Sequence, residues 1–479
     1  MSMPNGDAYT VPFFIDGNEV QAKKSFDVIS PATHKVVHRC GAASNVEAAA
    51  AVDAAAKAFG TWKSSTPKSR RDILIKAAQI TEKRRDELAG YMIDETGCTR
   101  GWADFNLNLA GDHILDIAGR VSTLEGSIPA TQDAAVGAFV LREPFGVVLA
   151  IAPWNAPYIL GIRSVLLPIA AGNTVIFKGS ELSPRVGWAI SSVFHEAGLP
   201  AGVLNFLIVE RIDAPDITAS LIGQPEVKKV NFTGSTHVGR IIGKLCGEHL
   251  KPVLLELGGK APAIVWEDAE LEKAATQCAL GAFLHGGQIC MSTERILVHK
   301  AVRAEFEQLL VQAIDSIFGS GGDAPVLISS LGAEKARNLV RDAVEKGAKI
   351  VYGDHLAEES SKTRMRPLVI SGVSTEMDIY RTESFGPSVS LFEIETEEEA
   401  LRMANDTEYG LSSAVFTRDL RRGLRLAKGI ETGAVHINSM TVHDEAALPH
   451  GGVKASGFGR FNGSNLAEWT RTKSVTFQY

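Results

Sequence analysis

Apolar and polar positions follow two different periods along this chain. Near the start, Ser44-Asn45-Val46-Glu47 has the form of a capping box, in which a serine and a glutamate three residues on satisfy each other's backbone amides. Val46, Ala49, Ala56 and Phe59 then fall near one helix face. A second helix is predicted over about 69–96, with Gly97 as a natural terminator. This first part reads as helical. From Gly146 the pattern changes to short apolar runs separated by helical stretches. Strands are predicted at 147–151, 174–177, 204–209, 229–232 and 253–255. Such alternation specifies a doubly wound parallel sheet, which binds ligands at the carboxyl ends of its strands. A second α/β region runs from about Gly258 to Met440, with strands at 296–299, 350–352, 389–393, 414–416 and 434–437. Its helix at 268–284 leads directly into a cysteine-containing loop. Residues 122–144 read as a Gly-interrupted strand pair. The tail, 472–479, alternates apolar and polar positions, as at Val475 and Phe477.

Composition sharpens this only in part. At 479 residues the chain is too long for one ordinary core, so two or more domains are expected. The formal charge is -7, with no basic block to track a nucleic-acid backbone. Five scattered cysteines, at 40, 98, 246, 278 and 290, argue for a reducing compartment and a cytoplasmic location rather than a disulfide framework. Residues 1–16 contain acids and no long apolar run, so no signal peptide is expected. No apolar stretch is long and clean enough to span a membrane.

Three segments carry candidate chemistry. In His285-Gly286-Gly287-Gln288-Ile289-Cys290-Met291-Ser292-Thr293-Glu294-Arg295, two glycines precede the cysteine and a polar run follows it. The glycines remove bulk where a large flat partner can approach the backbone. The alternative is a buried, inert thiol. In Leu255-Glu256-Leu257-Gly258-Gly259-Lys260, a carboxylate ends an apolar strand. Such a group is costly unless paired or functional; an ion pair with Lys260 is the structural alternative. In Ile151-Ala152-Pro153-Trp154-Asn155-Ala156-Pro157, two prolines fix the path around an amide that can serve as a preset donor.

Together these segments resemble the aldehyde dehydrogenase superfamily. The likeness extends through Phe177-Lys178-Gly179-Ser180-Glu181, Phe232-Thr233-Gly234-Ser235-Thr236 with Gly239, Glu383-Ser384-Phe385-Gly386-Pro387 and Gly451-Gly452-Val453-Lys454-Ala455-Ser456-Gly457, all in the family's order. It implies a Rossmann-type NAD-binding domain over 1–121 and 145–257. A catalytic α/β domain over 258–440 and a bridging β element over 122–144 and 462–479, pairing subunits of a homodimer or homotetramer, complete the expected organisation. Cys290 is implied as the nucleophile, Glu256 as the base that activates water, and Asn155 with the Cys290 amide as the oxyanion donors. Cofactor contacts are implied for Trp154, Lys178, Ser180, Glu181, Gly234, Ser235, Gly239, Glu383 and Phe385.

The phosphate-binding segment has P-loop glycine spacing at Gly234 and Gly239, but Arg240-Ile241 stand where Lys-Ser/Thr should follow. A strand, a small-residue turn and a helix start can still bind a pyrophosphate through amides and the helix dipole. A carboxylate at Glu181 would repel a 2′-phosphate, favouring NAD over NADP. The expected partner is a small-molecule aldehyde. The resemblance is nearest to the aromatic branch of the family, which takes salicylaldehyde, vanillin or benzaldehyde. Trp102 and Phe105 lie three apart on a predicted helix and can form one wall of a slot. Ala156 would leave room for a ring, and Arg163, about two helical turns beyond Asn155, would reach it. Core packing for the two aromatics and a surface ion pair for Arg163 are the alternatives. His285 does not pair with Cys290 in this reading. His443, Asp444, Glu445 and His450 have no familiar metal spacing, and no metal is expected. The run Phe461-Asn462-Gly463-Ser464-Asn465 lacks the acidic residue many family members carry there; Glu468 is out of register and receives no role. A CoA-acylating dehydrogenase, a non-catalytic relative, a cofactor-free thiol hydrolase and a dehydrogenase for aliphatic or semialdehyde substrates are the rival functions. Retention of Glu256 argues against the first, and of all three reactive residues against the second.

Overall fold

The computed structural model describes residues 9–319, 323–463 and 465–479, so 1–8, which hold half of the N-terminal stretch read above, and Ser464 lie outside the described residues. Val147–Ile151 and Thr174–Lys178 are uniformly buried, as parallel strands covered on both faces must be. They lie in an eight-stranded sheet ordered Gly457–Phe458, Val253–Glu256, Val227–Thr233, Val147–Ile151, Thr174–Lys178, Leu204–Leu207, Phe13–Ile15, Asn18–Val20. Its five long central strands are parallel, and register sets Phe232 opposite both Ile151 and Leu255. The carboxyl ends of three neighbouring strands therefore coincide. They deliver the Asn155 turn, Gly234-Ser235 and Glu256 to one edge, where α/β sheets bind ligands.

A seven-stranded sheet follows, ordered Lys349–Tyr352, Leu368–Ser371, Ser388–Ile394, Thr293–His299, Ala261–Val265, Ser412–Phe416, Ala434–Ile437. Ala261–Val265 and Leu368–Ser371 escape the sequence reading. Proline at 262 and a proline just before Leu368 mask them as loops.

Several expectations need correction. The first part of the chain is not helical alone: Thr10–Val11, Lys24–Ile29 and Val36–Ala42 form a three-stranded sheet. The helix expected over 69–96 is two helices, Pro67–Lys83 and Arg85–Thr96, broken at Arg84. Gly97 does end the second, at φ 67°. The capping box forms, with Ser44 N 2.8 Å from Glu47 Oε2. Yet Asn45–Trp62 buries Ala48, Ala51, Val52, Ala55 and Trp62 and leaves Val46 exposed. In an alanine-rich helix every face looks equally apolar, so periodicity carries little contrast there. Residues 122–144 hold one full strand, Val136–Pro144, and the expected pairing is reduced to a single antiparallel bridge between Ser127 and Val140. The strand runs antiparallel to Thr470–Gln478, with Phe139 and Phe477 5.2 Å apart. No helix is long and apolar enough to cross a membrane, among the described residues.

Candidate active site

Helix Leu271–Phe283 ends in a turn with His285, Gly286 and Gly287 all at positive φ. A Cβ on Gly287 would lie 2.2 Å from the Gly386 carbonyl oxygen. The glycine is thus required by packing against the neighbouring loop, not only by an approaching ligand. The turn presents Cys290 half-buried, just before strand Thr293–His299. Burial pushes its thiol well above the ordinary range. The carboxylates of Glu256 and Glu383 add to this, and Arg163 opposes it. His285 is no base for it: the ring stacks on Trp102 at 5.2 Å, its Nε2 has no hydrogen-bond partner, and burial drives its pKa down to about 3. The carboxylate facing the thiol is that of Glu256, with Oε1 3.9 Å from Cys290 Sγ.

Glu256 ends strand Val253–Glu256 with its side chain fully enclosed. It does not pair with Lys260, which bonds Glu294 instead. Its Oε2 accepts from Arg163 Nη2, and its Oε1 lies 3.1 Å from His450 Nε2. Burial favours the protonated carboxyl, but Arg163 and then His450 outweigh it, so the group stays below the usual carboxylate range. Arg163 is therefore no surface ion pair. It sits on the buried helix Pro157–Ala170, and its Nη1 donates to Asp444 Oδ2 at 2.9 Å. Losing one partner of such a buried cluster costs about 3–5 kcal/mol, because an uncompensated charge remains.

Asn155 Nδ2 donates to the Gln288 carbonyl at 2.9 Å, which leaves its second hydrogen for another acceptor. Trp102 Nε1 donates to the Asn155 carbonyl at 3.1 Å, fixing the same turn from the other side. Trp102 and Phe105 share a face of helix Arg100–Arg120, their rings stacked 5.2 Å apart.

Two cavities meet at these residues. The larger, about 470 Å³, is lined by Trp154, Gly234, Ser235, Glu383 and Phe385. The smaller, about 30 Å³, is lined by Trp102, Phe105, Ala156, Arg163, Asp444 and His450. Asn155, Glu256 and Cys290 border both. Around the larger cavity, Glu383 Oε1 accepts from Gly259 N at 2.8 Å. Burial, then the Glu294 carboxylate, pushes Glu383 up to about 7. Phe385, at φ 52°, meets Trp154 edge-on at 6.0 Å. Ser235 Oγ caps helix Thr236–Glu248, and Gly234 N is already bonded to the Glu256 carbonyl. Gly239 lies against Leu257, so it serves close helix–strand packing.

Lys178, Ser180, Glu181 and Gly239 do not line the larger cavity itself. Lys178 ends its strand beside Ile151 and is buried, which lowers its pKa against the pull of Glu181. Ser180 Oγ accepts from Leu182 N.

Asp444 and His450 belong to the site, as partners of Arg163 and Glu256. Gln288 was also missed; it accepts from Asn155 through its carbonyl and from Ile328 N through Oε1. Glu468 bonds Lys229 at 2.6 Å. Among the described residues, no group of three or more His, Cys, Asp or Glu is arranged to hold a metal ion.

The fold and this cysteine–glutamate–asparagine junction define a family. Residues 18–475 match the aldehyde dehydrogenase family, and the chain belongs to it. It is 43% identical over 477 residues to a vanillin dehydrogenase of Pseudomonas sp. (strain HR199 / DSM 7063), covering 98% of each chain. The structure of a salicylaldehyde dehydrogenase from Pseudomonas putida G7, complexed with salicylaldehyde, superposes with a TM-score of 0.94 at 38% identity, covering 98% of both chains. A betaine aldehyde dehydrogenase from Staphylococcus aureus, in complex with NAD+, superposes at 0.92 with 30% identity, covering 97% of this chain and 94% of the other.

Proposed function

We propose that this enzyme oxidises an aromatic aldehyde, such as salicylaldehyde, to its carboxylic acid with NAD. The observation that carries the reading is the meeting of both cavities at Cys290, Glu256 and Asn155. The larger cavity falls within the roughly 300–1,000 Å³ typical of ligand sites. It has a capped helix start and aromatic walls suited to a dinucleotide, so the residues present fit NAD. Trp154, Ser235, Glu383 and Phe385 would hold it, and NAD when bound accepts the hydride.

Once its thiol proton has passed to solvent, Cys290 attacks the carbonyl carbon, whose π electrons move to oxygen. Asn155 Nδ2 and the Cys290 amide stabilise that oxyanion. Loss of hydride leaves a thioester on Cys290. Glu256 takes a proton from water, the oxygen bonds to the carbonyl carbon, and the C–S bond breaks to release the acid.

On the substrate side, Trp102 and Phe105 form an aromatic wall of the cavity that Ala156 also lines. Two of the similar proteins reported above are a vanillin dehydrogenase and a salicylaldehyde dehydrogenase, both named for ring-bearing aldehydes. A cavity of about 30 Å³ is too small for a ring, since benzene occupies engineered cavities of about 150 Å³. We infer that Phe105, 40% exposed at the cavity edge, swings outward on binding. The preference for NAD over NADP rests on Glu181, a carboxylate unfavourable to a 2′-phosphate. We read the first sheet as the NAD-binding domain (1–121 and 145–257) and the second as the catalytic domain (258–440). The exposed sheet of Val136–Pro144 and Thr470–Gln478 reads as a subunit contact of a homodimer or homotetramer. The five free cysteines are in keeping with a cytoplasmic enzyme.

The test is NADH formation over an aldehyde panel, repeated with NADP. Hydroxylated benzaldehydes should give higher kcat/KM than acetaldehyde or betaine aldehyde, and NAD should outperform NADP. A clear win for short aliphatic aldehydes would overturn the substrate, and no NADH from any aldehyde would overturn the activity.

A further inference from the structure

The polar end of the small cavity holds more charged groups than the reaction above uses. The side chains of Glu256, Arg163, Asp444 and His450 form one buried cluster. A guanidinium facing a single carboxylate favours the two-pronged fork, in which parallel N–H groups engage both oxygens. That arrangement would occupy both oxygens of Glu256. It does not form here. Arg163 gives Nη2 to Glu256 Oε2 but Nη1 to Asp444, and its Nε has no hydrogen-bond partner. His450 Nε2 instead holds Glu256 Oε1 at 3.1 Å, and that oxygen is the one facing Cys290 Sγ.

His450 is itself pinned. Its backbone exchanges two hydrogen bonds of 2.8 Å with Phe461, whose ring lies 4.7 Å beneath the Arg163 guanidinium. Its Nδ1 is 3.8 Å from Asp444 Oδ1, an oxygen that accepts from Asn462 Nδ2 at 2.7 Å. One segment, 444–462, thus supplies both groups that divide the fork. An imidazole suits this task because it offers one donor along one line, where a guanidinium offers several.

We propose that His450, backed by Asp444, is a positioning residue that keeps Glu256 Oε1 turned toward Cys290 and out of the Arg163 fork. The proposal rests on the reading of Glu256 as the base for water. A carboxylate closed onto Arg163 through both oxygens would be turned away from the thioester and could not take the water proton there. Acylation of Cys290 would be spared, and release of the acid would slow.

The test compares His450→Phe, His450→Gln and His450→Asn with Glu256→Gln in the full-length enzyme. Rapid mixing with NAD and benzaldehyde reads the NADH burst and the steady state. The Gln amide nitrogen can stand near the position of Nε2, whereas the Asn amide reaches only to that of Nδ1. His450→Phe and His450→Asn should keep a stoichiometric burst but lose about ten- to a hundredfold in kcat, part of the roughly 10²–10⁴ that general-base catalysis supplies. His450→Gln should recover most of it. Equal turnover of the Gln and Asn variants overturns the proposal, even if the Phe variant fails to fold. Loss of the burst along with turnover also overturns it, because His450 would then act on the thiol step. Normal kcat in His450→Phe beside a stalled Glu256→Gln rejects His450 alone. Normal turnover of Glu256→Gln rejects the base assignment itself.

Discussion

The two cavities that meet at Cys290 are built by different means. The larger is framed by turns at strand ends: Trp154 after Val147–Ile151, Gly234-Ser235 after Val227–Thr233, and Glu383–Phe385 just before Ser388–Ile394. Its lining combines small residues, Gly234, Ser235 and Gly258, with the side chains of Trp154, Glu383 and Phe385. The smaller is closed by side chains reaching across from distant segments, with aromatic rings at one end and paired charges at the other. Backbone architecture suits a ligand common to many relatives, whereas side-chain walls are where one chain can differ from the next. Damage on the cofactor side should therefore affect all aldehydes alike, and damage on the substrate side should discriminate among them.

The largest effect is expected at the junction. Cys290→Ala should abolish oxidation of every aldehyde while NAD still binds, read by calorimetry. Residual turnover above background would move the nucleophile elsewhere. Asn155→Ala should cost on the order of a hundredfold or more in kcat for aromatic and aliphatic aldehydes alike, as for other oxyanion donors. A loss confined to one class would make Asn155 a specificity residue instead.

Trp102→Ala should separate the two cavities. It should lower kcat/KM for hydroxybenzaldehydes about tenfold more than for acetaldehyde, matching roughly 1.4 kcal/mol of ring packing and burial. Part of the loss will be shared, because Trp102 also holds the Asn155 turn. Equal losses for both substrates would remove the aromatic slot.

The smallest effect concerns Glu383 on the cofactor side. Its folded-state value of about 7 lies above the roughly 4.3 of an unfolded glutamate. The folded protein therefore holds that proton more tightly. The resulting stabilisation is complete below the unfolded value and is lost as pH rises through about 7. Without NAD, Glu383→Gln should flatten the decline of Tm between about pH 5 and 7.5. An unchanged slope would mean that Glu383 is already ionised in that window.

The same contrast explains what could be read in advance. Asn155, Glu256 and Cys290 each sit in a local motif at an element end, where turn chemistry and a polar residue after an apolar run are visible in sequence. Strands 147–151 and 434–437 have the same bounds in the structure as in the reading of their apolar runs. Arg163–Glu256, Glu256–His450 and Arg163–Asp444 join residues 93, 194 and 281 apart, and no local pattern marks such pairs. In sequence His450 and Asp444 suggest only metal ligands, because their partners, the Glu256 carboxylate and the Arg163 guanidinium, lie on a distant strand and a distant helix. The N-terminal strands were missed for a similar reason: Thr10–Val11 is two residues long and finds its partner at Arg39 and Cys40. The face of Asn45–Trp62 failed differently, because alanine gives periodicity nothing to contrast.

The most direct test of the account is mass spectrometry of Glu256→Gln after incubation with NAD and a hydroxybenzaldehyde. With water activation removed, the enzyme should carry one hydroxybenzoyl group per chain, on the peptide containing Cys290, and only when NAD is present. An unmodified Cys290 in a stalled enzyme, or normal turnover with no adduct, would contradict it.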